Sequence, residues 1–295
     1  MTKVGYVCTN YNNAPFTRAA VASLVADGDG RDVRVVVVDN NSSQDDVAAL
    51  EAMGREFPGV QLVLNQENVG YFPGLNIGLH HLKTRFPDIE HVVVGNNDLT
   101  FPEDFVDVLQ RHRDVFETWA VVAPDLVTLD GVHQNPHVLY PISKARKLVW
   151  DLYYQSYSVA LVIRYAARIM SRFTAREENA FESDLYKTAG PIEQGYGACY
   201  LLGPVFFKHF DGLCAPTFLM HEEFFLYEQL KRVGQMTYYD PRFIVYHHTH
   251  ATMGRLPSHR HWMISRESHR VYKRYMRLSP TERLRMIDDA SRAST

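Results

Sequence analysis

Two apolar runs end in acidic side chains: VVVVDNNS at residues 35–42 and VVVGNND at residues 92–98. A continuous β-branched run suits a strand covered on both faces, as in a parallel sheet between helix layers. In open α/β sheets, ligands lie beyond the carboxyl ends of such strands. The pattern therefore predicts that Asp39 and Asp98 reach the rim of one cleft. A carboxylate there can hold a sugar hydroxyl, a base edge or a divalent cation, which points to nucleotide chemistry.

Strand and helix signals alternate from the start of the chain. Strands are expected at 4–8, 33–38, 60–64, 91–94 and 119–123, and helices at 16–26, 45–56, 74–85 and 104–116. Such alternation implies βαβ units and an α/β fold with a mostly parallel sheet flanked by helices. Residues 140–188 break the pattern with a long helical stretch. A strand returns at 195–202. A helix at 222–233 stops at Gly234, a favourable C′ residue, and a last strand at 243–246 precedes a basic helical tail.

A chain of 295 residues, 46% hydrophobic and 22% charged, supports a substantial core. Its net charge of −3 gives no sign of nucleic-acid binding. Cys8, Cys199 and Cys214 show no metal-ligand spacing, so free thiols in a reducing compartment are expected. The opening MTKVGYVCTN enters a strand directly, so no signal peptide is expected. The apolar stretch 157–170 is broken by Arg164 and Arg168 and is too short to span a bilayer. The expectation is a cytoplasmic protein, soluble or held peripherally at the inner face of the membrane.

Several motifs carry candidate chemistry. Thr9, Asn10 and Tyr11 open the polar loop TNYNN after the first strand and can meet a nucleotide base, or form an Asn-rich turn. Asp39 can accept from a ribose hydroxyl or cap the next helix. In NVGYFPGLNIG (68–78) the glycines permit close backbone approach, and a helix N-terminus attracts phosphate. This is neither a Walker loop nor a dinucleotide fingerprint. Asn97 and Asp98 end the most apolar strand, where a carboxylate suits Mg2+ or Mn2+ with substrate phosphates. Glu222 and Glu223 open a helix; the macrodipole accounts for acidic side chains there, and one could also act as general base. His247, His248 and His250 crowd the end of the last strand.

In this order, the motifs resemble those of family 2 glycosyltransferases of the GT-A fold, most closely the branch with rhamnosyl- and galactofuranosyl-transferases. The resemblance implies that Thr9, Asn10, Tyr11, Asp39, Asn68, Gly70, Gly74, Asn76 and Asn97 line a nucleotide-sugar site. It implies a metal held by Asp98 and His247, with Glu223 as base where the family usually has aspartate and Glu222 as its alternative. Gly197 and Ala198 match the family's Gly-Ala strand. Arg266 matches the arginine of its late Arg-Asn pair. Phe225 and Gln229 replace acidic and arginine positions.

The organisation implied is a nucleotide-sugar-binding half (1–125), a helical insert (140–190), an acceptor and catalytic half (191–255) and a helical tail (256–295). The function implied is inverting, metal-dependent transfer from a UDP- or dTDP-sugar to a saccharide or lipid-linked acceptor, in bacterial cell-surface polysaccharide or glycoconjugate assembly. A nucleotidyltransferase and an inactive sugar-nucleotide-binding scaffold stay open. So does a homo-oligomer. In the insert, Arg164, Arg168 and Arg172 recur every four residues, with Val162, Ala166, Ile169 and Phe173 on another face. That helix either packs, on the core or a second subunit, or lies on an anionic membrane.

Overall fold

The valine runs become adjacent parallel strands. In the computed structural model, which describes residues 3–25, 33–137, 144–174, 182–248 and 258–291, β1 (Val4–Asn10), β2 (Val33–Asp39), β3 (Val60–Leu64) and β4 (His91–Asn96) lie parallel in the order β3-β2-β1-β4. The crossovers are α1 (Ala14–Val25), α2 (Gln44–Glu56) and α3 (Tyr71–Arg85). Side chains alternate across the sheet. Val35, Val37 and Val93 pack with Ala20, Val21, Leu50 and Met53 of α1 and α2. Val36, Val38, Val92 and Val94 pack with Leu75, Leu79 and Leu82 of α3. Both faces are covered, which is why the strands carry no polar alternation.

The chain continues through β5 (Leu99–Thr100), α4 (Phe105–Arg111), α5 (Val115–Thr118) and β6 (Val121–Thr128). The single helix expected at 104–116 is broken in two. Val115 and Phe116 donate to the carbonyls three residues back, at His112 and Arg113, in tight turns. There follow α6 (Lys144–Tyr153), α7 (Tyr157–Thr174), a short 3-10 helix (Glu182–Lys187), β7 (Gly190–Ile192), β8 (Cys199–Leu202), α8 (Pro204–His209), α9 (Glu222–Lys231), β9 (Thr237–His247), α10 (His259–Arg277) and α11 (Pro280–Ser291).

One sheet in the order β3-β2-β1-β4-β8-β6-β9-β5, with β7 on β9, joins both halves of the chain. β8 runs antiparallel between β4 and β6, and β9 runs parallel to β6. β9 is far longer than the expected 243–246 because Pro241 masks its first half. The proline sits where the β6–β9 register slips, at Asp125 and Ile244, the kind of irregularity that tolerates an absent N–H.

The insert docks by α6. The Trp262 indole donates to the Tyr153 carbonyl at 3.2 Å, Lys273 bonds Asp151 at 2.6 Å, and Tyr154 stacks on His269 at 4.5 Å. The apolar stripe of α7 is not packed on the core: Val162, Tyr165 and Ile169 are exposed. The side chains of Arg172 and Phe173 lie outside the described residues. No helix among the described residues is long and apolar enough to cross a membrane.

Candidate active site

Parallel pairing aligns the carboxyl ends of the strands. Asn10 pairs with Asp39, and Thr9 with Asn96. Asp39 and Asp98 are thereby carried to the same rim. Asp39 is buried and folds its own turn. It accepts from Asn10 Nδ2 at 2.9 Å, from the Ser42 N–H at 2.9 Å and from the Ser42 hydroxyl. Asn10, also buried, donates to Asp46 at 2.7 Å and accepts from Thr17 and Asn97. Asn97 donates to Thr17 at 2.8 Å. These side chains form a network that fixes the loop, and Tyr11 projects from it exposed.

The glycines of the 68–78 stretch are steric necessities. Gly70 has φ +98° and precedes α3, and a Cβ there would lie 2.2 Å from the Phe218 carbonyl oxygen. Asn68 accepts from its N–H at 3.0 Å. Asn40, which sequence reasoning passed over, donates to the Gly70 carbonyl at 2.9 Å and is buried. A Cβ on Gly74 would lie 2.7 Å from the Thr9 methyl. Asn76 is buried. It bonds both the carbonyl and the N–H of Leu213 at 2.8 Å and clamps the chain after α8.

Asp98 and His247 meet where β5 pairs with β9. His247 Nε2 lies 3.3 Å from Asp98 Oδ1, a buried oxygen with no hydrogen-bond partner. On its other side, His247 Nδ1 bonds Gln134 Oε1 at 2.7 Å. Gln134 Oε1 can only accept, so Nδ1 donates to it and Nε2 is the ring nitrogen left to face Asp98. Asn96 Nδ2, a donor, approaches the same nitrogen at 3.5 Å. In the tautomer protonated at Nδ1 alone, Nε2 and Asp98 Oδ1 are two acceptors facing each other, an arrangement that suits a cation between them. The described residues contain no cluster of three or more His, Cys, Asp or Glu able to hold a metal. Here the chain brings two such side chains together. His248 turns aside to Thr100 at 2.8 Å, and His250 lies outside the described residues.

The two glutamates diverge. One residue advances a helix by about 100°, so they cannot face the same way. Glu222 is buried and accepts from the Met220 N–H at 2.7 Å. Burial, then the charge of Glu223, pushes its carboxyl up to about 8. Glu223 lines a cleft of 550 Å3 and accepts from the Gly197 N–H at 3.2 Å. Burial raises its pKa as well. A Cβ on Gly197 would lie 2.5 Å from Glu223 Oε1. The turn into α9 is strained: Met220 and His221 both have left-handed backbone, φ +75° and +67°. The His221 ring stacks on Tyr272 at 5.1 Å, and burial pushes its pKa down to about 4.

Tyr196 connects the two sites. Its ring packs edge-on to His247 at 5.9 Å. Its hydroxyl pKa is raised by burial, then by the charges of Glu223 and Asp98. Tyr71 donates to the Gly197 carbonyl at 2.9 Å and lies close enough to Glu222 and Asp98 to feel both. Arg266 is elsewhere, stacked on Trp262 at 5.2 Å in a separate groove along α10. Phe225 lies in the core, and Gln229 bonds the Gly212 carbonyl and the Cys214 N–H, so packing accounts for both departures. All three cysteines are buried and free.

The sequence matches the model of "Glycosyl transferase family 2" over residues 7–168, more than half of the chain. The chain belongs to glycosyl transferase family 2. The matched region carries Asp39, Gly70 and Asp98 and ends before Glu223 and His247. Solved structures of S. aureus TarS 1-349 are similar at low identity. The complex with UDP-GlcNAc has a TM-score of 0.38 at 18% identity, over 44% of this chain and 36% of that one. The complex with UDP gives 0.36 at 18%, over 44% and 37%. A third TarS structure gives 0.46 at 12%, over 81% and 60%. The chain thus spans little more than a third of the length of the first two. No curated protein matches the chain.

Proposed function

We propose that this glycosyltransferase moves a sugar from a UDP- or dTDP-sugar to an acceptor hydroxyl with inversion, using Mg2+ or Mn2+, in the assembly of a bacterial cell-surface polysaccharide or glycoconjugate. Transfer of rhamnose or galactofuranose fits within this reading. The observation that carries it is the pair of facing acceptors, His247 Nε2 and Asp98 Oδ1 at 3.3 Å, beside a glutamate held in a cleft. Asp98 and His247 would hold the cation. When bound, it neutralises the diphosphate leaving group. Hard divalent cations keep open positions for water and substrate phosphate, so two protein ligands suffice.

The chain's own groups do the rest. The network of Asn10, Asp39, Thr17 and Asn97 keeps the first loop rigid, and Tyr11 offers its ring to the base. The Gly197 N–H holds one oxygen of Glu223 and leaves the other for the acceptor proton. Glu223 takes that proton as the hydroxyl attacks the anomeric carbon from the face opposite the diphosphate. A single displacement inverts the configuration and needs no enzyme nucleophile. Family membership argues against a nucleotidyltransferase, and the Asp98–His247 pair beside Glu223 favours an enzyme over an inactive scaffold.

A panel of nucleotide sugars, assayed for nucleotide release with Mn2+ and with chelator, tests the proposal. One donor should turn over only with metal. Asp98→Asn should abolish turnover, and Glu223→Gln should lower it by ~10²–10⁴-fold, the usual size of a general-base contribution. Turnover in chelator, or full activity in either variant, contradicts it.

A further inference from the structure

Charge is unevenly spread over the molecule. Helices α6, α7 and α10 carry twelve Lys and Arg against two acids, Asp151 and Glu267. The rest of the chain carries nineteen Lys and Arg against thirty-two acids. The same helices expose apolar side chains. On α6, Leu148, Val149 and Leu152 are 60%, 46% and 41% exposed. On α7, Val162, Tyr165 and Ile169 form one stripe, 68%, 65% and 40% exposed, with exposed Arg164 and Arg168 on its flank. Along α10, five cations (Arg266, Arg270, Lys273, Arg274 and Arg277) line an open groove of 610 Å3 together with Asp151 of α6 and Tyr154 just after it. Asp151 is one residue from Leu152 and three from Leu148. The cationic groove and the apolar face of α6 therefore share an edge.

We infer that this surface docks on an anionic lipid membrane. The apolar side chains of α6 and α7 enter the boundary between headgroups and acyl chains, and the cations of α10 lie against lipid phosphates. Attachment is interfacial. A second copy seated here by a two-fold axis would set the same cations against each other, whereas anionic headgroups neutralise them. Tyr154 also lines the cleft that holds Glu223. Docking thus places that cleft beside the bilayer, where a lipid-linked acceptor would arrive. This last consequence rests on the transfer reading. Vesicle binding does not, because it is measured without donor or acceptor.

The test is flotation of the full chain with vesicles containing phosphatidylglycerol, against pure phosphatidylcholine, at low and high salt. Binding is expected on the anionic vesicles at low salt, with a steep fall in high salt. The variant Arg270→Gln/Arg274→Gln/Arg277→Gln should lower partitioning by ~10²-fold, about fivefold per cation. The variant Val162→Ser/Tyr165→Ser/Ile169→Ser should remove the binding that survives salt. All six side chains are exposed, so both variants should melt near the wild type. No flotation at low salt, or flotation unchanged in both variants, overturns the inference. A dimer abolished in the serine variant, with no vesicle binding, assigns the face to a second copy instead.

Discussion

Replacing Gly197 by alanine isolates the position of Glu223 from the stability of the fold. The new Cβ would fall 2.5 Å from Glu223 Oε1 and 3.1 Å from its Cδ. The obstructed group is the end of a flexible side chain, so the carboxylate swings away and the backbone stays. The movement breaks the 3.2 Å bond from the Gly197 N–H. A hydrogen bond to a charged group contributes ~1.5–3 kcal/mol. At about 1.4 kcal/mol per tenfold in rate, turnover should fall ~10- to 150-fold. That N–H favours the charged carboxylate, so its loss also shifts the rise of rate with pH to higher pH. Nucleotide release across a pH series, with donor KM and melting temperature measured alongside, reads all three quantities. The account predicts a lower kcat, a displaced pH profile, and little change in KM or melting temperature. Wild-type turnover in the variant would show that Glu223 does not act from this position.

Other outcomes follow from the same structure. Burial raises the Glu222 carboxyl to about 8. A carboxyl raised in the folded state costs no stability below its unfolded pKa and weakens the fold as pH rises toward 8. Glu222→Gln should therefore flatten the loss of melting temperature across that window, and an unchanged slope would refute it. Gln134→Leu removes the acceptor that orients His247 and should weaken metal activation ~10–100-fold; an unaltered Mn2+ requirement counts against that role. Gly70→Ala forces a Cβ 2.2 Å from a backbone oxygen at φ +98°. It should cost at least ~2 kcal/mol in a denaturant titration, and an unshifted midpoint would show that the loop relaxes.

The fold was legible wherever one chemistry dominated a segment. Valine runs announced β2 and β4, and their parallel pairing brought Asp39 and Asp98 to one rim as expected. The first half of β9 was not legible, because Pro241 reads as a strand breaker and only the partner strand shows the slipped register. The site divides in the same way. Asp98 stood out because it ends a buried strand. Gln134 carried no signal, since its role depends on His247, 113 positions away. Asn76 and Asn97 illustrate a different limit. An asparagine can hold a ligand or bind its own chain, and only the contacts to Leu213 and Thr17 show the second use. Glu222 and Glu223 are equivalent in sequence and separate only once the helix turns one toward Met220 and the other toward Gly197.

Electron paramagnetic resonance of Mn2+ titrated into the protein with UDP tests the central claim most directly. The account predicts a bound Mn2+ signal that depends on nucleotide and is lost in both Asp98→Asn and His247→Ala. Mn2+ bound equally well by those variants would contradict it.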